Sequence, residues 1–201
     1  MSLANVIFDF GNVINLWRPH LALTAFFDSQ DQAETGLRAL GFYDWNGEQD
    51  RGRSAADGLA HIAANQPEAL PVFTAYLDNI ALAHSKLVPG TSELIERLAA
   101  RGVGLFGLTN ASVAGFDAVC QTAPAIRHMQ DVALSSREGV MKPDPTIFTR
   151  LLERNDLSAD TCLFVDDSAA NVAAAEGVGL DAIVFIDAAT LETDLTKRGL
   201  L

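Results

Sequence analysis

Short apolar runs alternate with helix-like segments over the second half of the chain. One run near the N-terminus, at residues 6–10, and four later runs, at 103–108, 131–134, 161–165 and 182–186, have the length and mostly apolar character of buried strands. Residues 92–100, 145–154 and 169–176 have helical patterns, with Thr91 as a candidate N-cap of the first and Gly102 as its end. The alternation predicts an α/β fold with a parallel sheet covered on both faces.

Residues 20–85 have a different pattern and contain no convincing strand. Helical spacing of apolar residues occurs at 21–27, 54–62 and 71–77, and Ser54 is a plausible N-cap of the second of these helices. Trp45, Asp50 and Arg51 are expected in a loop before that helix. We therefore expect an all-helical insertion between the first and second strands of the sheet.

Four short polar motifs accompany the apolar runs: NVIFDFGNV (5–13), LFGLTN (105–110), MKPDP (141–145) and CLFVDDS (162–168). The carboxyl ends of parallel strands meet at one edge of a sheet, which is where open α/β sheets bind ligands. We therefore expect the polar groups of these motifs to converge there. Three carboxylates and a lysine at one edge favour a metal-assisted phosphate site. The candidate residues are Asp9, Thr109, Asn110, Lys142, Asp166 and Asp167.

Asp166 and Asp167 are adjacent carboxylates near a third, Asp9. Two like charges about 4 Å apart repel by roughly 4 kcal/mol at an effective dielectric constant of 20. A hard cation relieves that repulsion, and all-oxygen ligation favours Mg²⁺. Each motif alone has a plainer interpretation: a turn aspartate, acids at a helix N-terminus, or a solvated lysine. Their occurrence together favours the functional interpretation.

With these motifs, and with LVPG (87–90) and DDSAANV (166–172), the chain resembles the haloacid dehalogenase-like (HAD) hydrolase superfamily. More narrowly, it resembles the phosphatase branch that includes the N-terminal domain of bifunctional epoxide hydrolases and bacterial sugar-phosphate phosphatases opening Asp-x-Gly-Asn-Val. The resemblance covers nearly the whole chain. It implies a Rossmann-like core formed by residues 1–15 and 87–201, and an α-helical cap at residues 16–86.

The resemblance also implies catalytic roles. Asp9 is the expected nucleophile, which attacks phosphorus and forms an aspartyl-phosphate. Thr109 and Asn110 are expected to hold a phosphoryl oxygen and so to bind substrate. Lys142 is expected to supply positive charge to the phosphoryl oxygens and to Asp9.

The same resemblance implies a set of Mg²⁺ ligands. Asp9, the backbone carbonyl of Gly11 and Asp167 are the expected direct ligands. Asp166 is expected to orient a metal-bound water, although the division between Asp166 and Asp167 is open from the sequence. Asn171 either stabilises the loop after Asp167 or faces solvent.

One position departs from the usual pattern of the superfamily. HAD phosphatases usually carry a second aspartate two residues after the nucleophile, where it acts as general acid and then as general base. Here that position is Gly11. The sugar-phosphate phosphatases that this chain resembles share the glycine, so phosphatase activity is not excluded. Either the activity is low or another group replaces the acid.

The expected substrate-binding residue in the cap is Arg51. It lies in the run QDRG (49–52), which resembles a turn that faces the active site in related caps. An arginine there could bind an anionic or hydroxylated substrate. The alternative is a solvated loop charge.

The composition limits the kinds of binding partner and the cellular location that we expect. The 201 residues are 49% apolar and carry a net charge of −12, with no block rich in lysine or arginine, which disfavours nucleic acid and anionic membranes. No membrane-spanning run or secretory signal is apparent. Cys120 and Cys162 are far apart and fit no metal-binding spacing. We expect a cytoplasmic monomer or homodimer.

The sequence thus predicts a Mg²⁺-dependent phosphatase acting on a small phosphorylated metabolite, with sugar phosphates among the candidates. One alternative is a 2-haloacid dehalogenase, which shares the fold, nucleophile, amide and lysine. Dehalogenases need no metal and generally lack the paired acids. A second alternative is a catalytically weak binding or regulatory protein that has kept the fold. Metal-dependent turnover of an aryl phosphate separates these hypotheses.

Overall fold

The computed structural model describes residues 3–201, which form an α/β fold. The strands in chain order are β1 (Asn5–Phe8), β2 (Asn15–Leu16), β3 (Lys86–Leu87), β4 (Gly104–Thr109), β5 (Asp131–Leu134), β6 (Cys162–Asp166) and β7 (Asp181–Val184). The helices are α1 (Gln30–Ala39), α2 (Phe42–Asp50), α3 (Ala55–Asn65), α4 (Leu70–Asp78), α5 (Ile80–Ala83), α6 (Thr91–Ala100), α7 (Val113–Thr122), α8 (Ser135–Glu138), α9 (Pro145–Arg154), α10 (Ala169–Gly177) and α11 (Ala188–Lys197). Within this part of the chain, no helix is long and apolar enough to cross a bilayer.

Five strands form one parallel sheet in the order β5-β4-β1-β6-β7. The central strand is β1, whose Asn5 pairs with Gly104 of β4 on one side and with Cys162 of β6 on the other. The predicted parallel α/β sheet is therefore confirmed. Because β4 and β6 flank β1, the carboxyl ends of these three strands lie side by side.

Both faces of the sheet are covered, which explains why its strands are continuous apolar runs. Successive residues of a strand point to opposite faces. Val6 and Phe8 accordingly pack in one hydrophobic cluster with residues of α6 and α11, whereas Ile7 packs in a second cluster with residues of α9 and α10. Phe10 approaches so closely that a Cβ at Gly107 would lie 2.7 Å from its ring, which explains a glycine inside β4.

Residues 16–86, the helical insert, contain α1 to α5 and build a third hydrophobic cluster of their own. Its centre is aromatic, with Phe42, Trp45, Phe73 and Tyr76 packed against one another. Two short antiparallel strands, β2 and β3, lie where the chain enters and leaves the insert. These observations favour a cap at residues 16–86 and a core at residues 3–15 and 87–201. Residues 1–2 of the predicted core lie outside the described residues, and the division stays a prediction.

Local expectations differ from the structure at three places. Residues 21–27 are not an α-helix: a 3-10 turn at Pro19–Ala22 and further turns lead to α1, which begins after its N-cap Ser29. Thr91 is the first residue of α6 and not its cap, and its buried hydroxyl has no hydrogen-bond partner. Trp45 and Asp50 belong to α2, not to a loop. The expected cap Ser54 is confirmed, since its Oγ accepts from the Asp57 N–H at 3.1 Å.

Candidate active site

Three neighbouring strands deliver polar side chains to one edge of the sheet. Asp9 follows β1, Thr109 ends β4 and Asp166 ends β6. The order β4-β1-β6 brings these positions together at the carboxyl edge. This is the edge at which open α/β sheets bind ligands.

Lys142 lies at the centre of this edge and is almost fully buried. Its Nζ is 2.8 Å from Asp9 Oδ1 and 2.7 Å from Asp166 Oδ2, and it donates to the Leu108 carbonyl oxygen at 2.8 Å. An ammonium group has three protons to donate, so these acceptors use all of them. Lys142 therefore holds two carboxylates in place and partly neutralises them.

The Asn110 side chain fixes the backbone at Lys142. Its Nδ2 donates to the Lys142 carbonyl oxygen and its Oδ1 accepts from the Lys142 N–H, both at 2.9 Å. The side-chain amide is thus engaged at both ends and positions the lysine. The preceding Thr109 is buried and lines the cavity described below.

The consecutive aspartates have different surroundings. Asp166 is fully buried, and it accepts from the Ser168 N–H at 2.8 Å and from Asn171 Nδ2 at 3.0 and 3.1 Å. Asp167 is exposed, and its Oδ2 accepts from Asn12 Nδ2 at 3.2 Å. Asn171 therefore stabilises the loop, and Asp167 is the more accessible of the two carboxylates.

Asp9, Asp166 and Asp167 form an acidic cluster in which one oxygen from each lies within 4.8 Å of the others. Two charges at that separation repel by about 3 kcal/mol at an effective dielectric constant of 20. Lys142 supplies only one positive charge against three carboxylates. A hard divalent cation fits this oxygen donor set. Gly11 lines the adjoining cavity, and its carbonyl stays a predicted ligand.

The surroundings of Asp9 decide its charge. Burial raises the pKa of Asp9 to about 6; Lys142 opposes this rise, whereas Asp166 adds to it. The Phe10 N–H donates to Asp9 Oδ1 at 2.7 Å and favours the ionised form. Asp9 is therefore mostly a carboxylate at neutral pH, which is the form that a nucleophile needs.

A cavity of about 180 Å³ lies over Asp9, between the sheet edge and the helical insert. Pockets for drug-sized ligands are typically about 300–1,000 Å³, so this one suits a small molecule. The side of the sheet contributes Asp9, Thr109, Lys142 and Asp167, among others. The insert contributes Trp17, Asn46, Asp50, Tyr76 and His84.

Asp50 is one of several residues of this cavity that were not among the site residues predicted from the sequence. Its Oδ2 accepts from Asn46 Nδ2 at 3.0 Å, and its backbone oxygen accepts from Ser135 Oγ at 2.6 Å. Burial raises the pKa of Asp50 to about 7, against the opposing effects of the Ser112 backbone N–H and of Arg51. The QDRG run was a signal for this turn, but its aspartate, not its arginine, faces the cavity.

Arg51 points away from the cavity. Its side chain is 54% exposed and pairs with Glu48 at 2.6 Å. The next residue, Gly52, has φ +109°, and a Cβ there would lie 2.9 Å from the Ser136 carbonyl oxygen. The turn after α2 thus packs against the backbone at Ser136, which follows β5, and glycine permits that close approach.

Gly11 has open space around it. A Cβ built at Gly11 would have no heavy atom within 4 Å, and its backbone does not require glycine by a positive φ. The acid expected at this position is therefore absent without being sterically excluded.

Comparisons with known proteins agree with this geometry. The family model for haloacid dehalogenase-like hydrolases matches residues 5–179. A sesquiterpene phosphatase of Aspergillus oryzae is 25% identical over 97% of this chain and 95% of its own length. The phosphoglycolate phosphatase of Rhodospirillum rubrum is 31% identical over 56% of this chain. The chain spans about half the length of that relative and of several others that it matches.

Solved structures show the same fold. The HAD family enzyme BT-2542 from Bacteroides thetaiotaomicron, an Asp12Ala mutant in complex with magnesium and inorganic phosphate, superposes with a TM-score of 0.72. It is 16% identical in sequence, and the match covers 92% of this chain and 95% of that one. The chain belongs to the haloacid dehalogenase-like hydrolase family.

Proposed function

We propose that the protein is a Mg²⁺-dependent phosphatase that hydrolyses a small phosphorylated metabolite. One observation carries this proposal. Buried Lys142 bridges Asp9 and Asp166, and Asp167 completes an acidic cluster beside them. The names of phosphatase relatives support the same reaction class.

Asp9 acts as the nucleophile. Its carboxylate oxygen forms a bond to phosphorus while the bond from phosphorus to the ester oxygen breaks, which leaves an aspartyl-phosphate. Water then attacks this phosphorus, and inorganic phosphate leaves Asp9. Lys142 orients Asp9 and offsets the negative charge that an incoming phosphate brings.

Asp9, Asp167 and the Gly11 carbonyl would hold the cation, with Asp166 behind them. A bound Mg²⁺ supplies charge stabilisation for the phosphoryl oxygens. Asp166 keeps Lys142 and Asn171 in place through the hydrogen bonds described above.

The cavity favours a substrate whose non-phosphate part is uncharged. Among the described residues that line it, Lys142 is the one basic side chain that carries a charge at neutral pH, because burial lowers the pKa of His84 to about 4. A second phosphate or a carboxylate would face Asp50 without a cation to pair with. Amide, hydroxyl and aromatic groups from Asn46, Tyr76 and Trp17 suit a neutral hydroxylated or apolar group instead.

The two alternatives are disfavoured by particular residues. A 2-haloacid dehalogenase needs the nucleophile and lysine but not the acidic pair Asp166 and Asp167. A silent binding protein needs neither the carboxylate of Asp9 nor the ammonium group that Lys142 directs at it.

Phosphate release from p-nitrophenyl phosphate, with Mg²⁺ and with excess EDTA, tests the proposal. We expect turnover that is lost with EDTA, and lost also in Asp9→Asn, which is nearly isosteric but cannot supply the attacking carboxylate. Thermal denaturation of the variant verifies that it folds. Full turnover in EDTA would contradict the proposed dependence on Mg²⁺. An Asp9→Asn rate within tenfold of the parent would contradict the proposed role of Asp9 as the nucleophile.

A further inference from the structure

The reaction needs a proton donor that position 11 cannot supply. Ester cleavage leaves an alkoxide unless an acid protonates the departing oxygen, and general acid–base catalysis typically contributes 10²–10⁴-fold. Gly11 has no side chain for this purpose. Asp9, Lys142 and Asp167 are committed to attack, charge balance and cation binding.

Three titratable groups of the helical insert line the cavity opposite Asp9, namely Asp50, Tyr76 and His84. Burial raises the pKa of Tyr76 well above its usual value, and its hydroxyl oxygen accepts from Trp17 Nε1 at 3.3 Å. Burial lowers the pKa of His84, which is therefore neutral and has no imidazolium proton to give. Neither group exchanges a proton readily near neutral pH.

Asp50 is placed differently. It is the last residue of α2, directly before the turn at which the helical insert contacts residues 135–136. Ser135 holds its backbone oxygen at 2.6 Å and Asn46 holds its Oδ2 at 3.0 Å, so the carboxyl group has a fixed position. Asp9 and Asp50 line the same cavity, so the leaving group of a phosphate on Asp9 would lie in the space that Asp50 also lines.

We propose that Asp50 is the general acid and base of the site, provided from the helical insert in place of an acid at Gly11. This inference rests on the proposed phosphatase function. The other charged or titratable groups that share its cavity or adjoin it in the chain are Asp9, Lys142, Asp167, Tyr76, His84 and Arg51.

The proton balance of the two steps follows. In the first step, Asp50 is protonated and gives its proton to the ester oxygen as the bond between phosphorus and that oxygen breaks and Asp9 bonds to phosphorus. The alcohol leaves and Asp50 is a carboxylate. In the second step, that carboxylate takes a proton from the attacking water, inorganic phosphate leaves Asp9, and Asp50 is again protonated. A pKa raised to about 7 suits both directions of transfer.

Asp50→Asn tests the proposal, because the nearly isosteric amide can still accept the hydrogen bond from Asn46 Nδ2 through its oxygen but has no carboxylic proton to give. Asp44→Asn is the matched control, since Asp44 is exposed on the same helix and does not line the cavity. We expect Asp50→Asn to lower kcat/KM for alkyl phosphates by 10²–10⁴-fold. It should lower kcat/KM for p-nitrophenyl phosphate, whose leaving group needs little protonation, by less than tenfold.

If Asp50 only held the insert in position, Asp50→Asn would give a different result, because a displaced insert would lower kcat/KM for alkyl and aryl phosphates by a similar factor. The pH profile gives a second readout. In the parent, kcat/KM for an alkyl phosphate should fall as the pH rises through about 7, where Asp50 loses its proton. This descending limb should be absent from Asp50→Asn.

Gly11→Asp in the Asp50→Asn background provides the rescue, because the open space at Gly11 admits a side chain. We expect the double variant to have a kcat/KM for alkyl phosphates at least tenfold higher than that of Asp50→Asn alone. Equal losses on aryl and alkyl phosphates, or an unchanged pH profile in Asp50→Asn, would overturn the role of Asp50. A parent enzyme that hydrolyses no phosphate ester with Mg²⁺ would instead overturn the proposed function.

Discussion

Replacement of Lys142 by methionine tests whether one buried ammonium group holds the site together. Methionine keeps most of the length of the side chain and removes its charge. The change abolishes three hydrogen bonds and leaves Asp9 and Asp166 facing each other with oxygens within 4.8 Å. The Asn110 hydrogen bonds to the backbone at position 142 remain, so the loop itself should keep its conformation.

Two routes give a similar magnitude for the loss of stability. Without the Lys142 charge, the repulsion between the carboxylates of Asp9 and Asp166 is about 3 kcal/mol at an effective dielectric constant of 20. Removal of one partner from a buried ion pair typically costs about 3–5 kcal/mol. For a chain of this size, each kcal/mol corresponds to roughly 2–4 °C in Tm. We therefore expect Lys142→Met to lower the free energy of unfolding by about 3–5 kcal/mol and to abolish turnover.

Urea denaturation monitored by circular dichroism measures the effect. Lys197→Met is the matched control: its side chain is 69% exposed and lies 3.8 Å from Asp194, so its loss should change stability by about 0.5 kcal/mol or less. The double variant Lys142→Met/Asp166→Asn separates charge repulsion from lost packing. Removal of the second charge should recover a large part of the deficit.

Two results would refute this reasoning. A Lys142→Met protein as stable as the parent would mean that the ammonium group is not needed to hold the carboxylates together. Additive effects of Lys142→Met and Asp166→Asn, within about 0.5 kcal/mol, would mean that the two side chains are not energetically coupled.

Two further predictions concern other carboxylates of the site. Because burial raises the pKa of Asp50 from 3.8 to about 7, the folded protein retains a proton that the unfolded chain releases, and the free energy of unfolding should fall as the pH rises between about 4 and 7. Asp50→Asn should therefore be more stable than the parent above pH 7, by at most about 4 kcal/mol, and similar to it below about pH 4; urea denaturation at both pH values measures this, and a less stable variant at pH 8 would contradict it. Mg²⁺ should raise the Tm of the parent and of Asp44→Asn, because a bound ligand stabilises the folded state, but should raise that of Asp167→Asn much less; equal shifts in all three proteins would remove Asp167 from the predicted ligands.

Much of the sheet could be predicted because its signal is local. Strands buried on both faces are short apolar runs, and the residues that follow β1 and β6 are the polar groups of the site. The helix α9 was likewise recognisable from its apolar spacing, since Ile147, Phe148 and Leu151 all lie on its buried face. The order of the strands then explains why these groups lie close together, since β1 and β6 are neighbouring parallel strands and bring Asp9 beside Asp166.

The insert was harder to predict because tertiary contacts determine it. α1 is largely polar and buries only Ala33 and Leu37, so it offers few apolar residues from which to recognise a helix. Within the apolar run at 21–27, Ala22 and Leu23 are buried without an α-helix, whereas Phe26 is exposed. Asp50 and Arg51 are adjacent, and only the position of α2 against Ser135 decides which of them faces the cavity.

The central position of β1 also has a consequence for the order of folding. Asn5 pairs with Gly104 and with Cys162, so this strand leaves the ribosome long before either of its partners. The aromatic contacts of the insert join residues much closer in the chain, such as Phe42 with Trp45 and Phe73. Local contacts form early, and long-range parallel pairing is slow. During synthesis the insert should therefore gain structure first, whereas the apolar strand that precedes Asp9 stays unpaired until most of the chain has emerged.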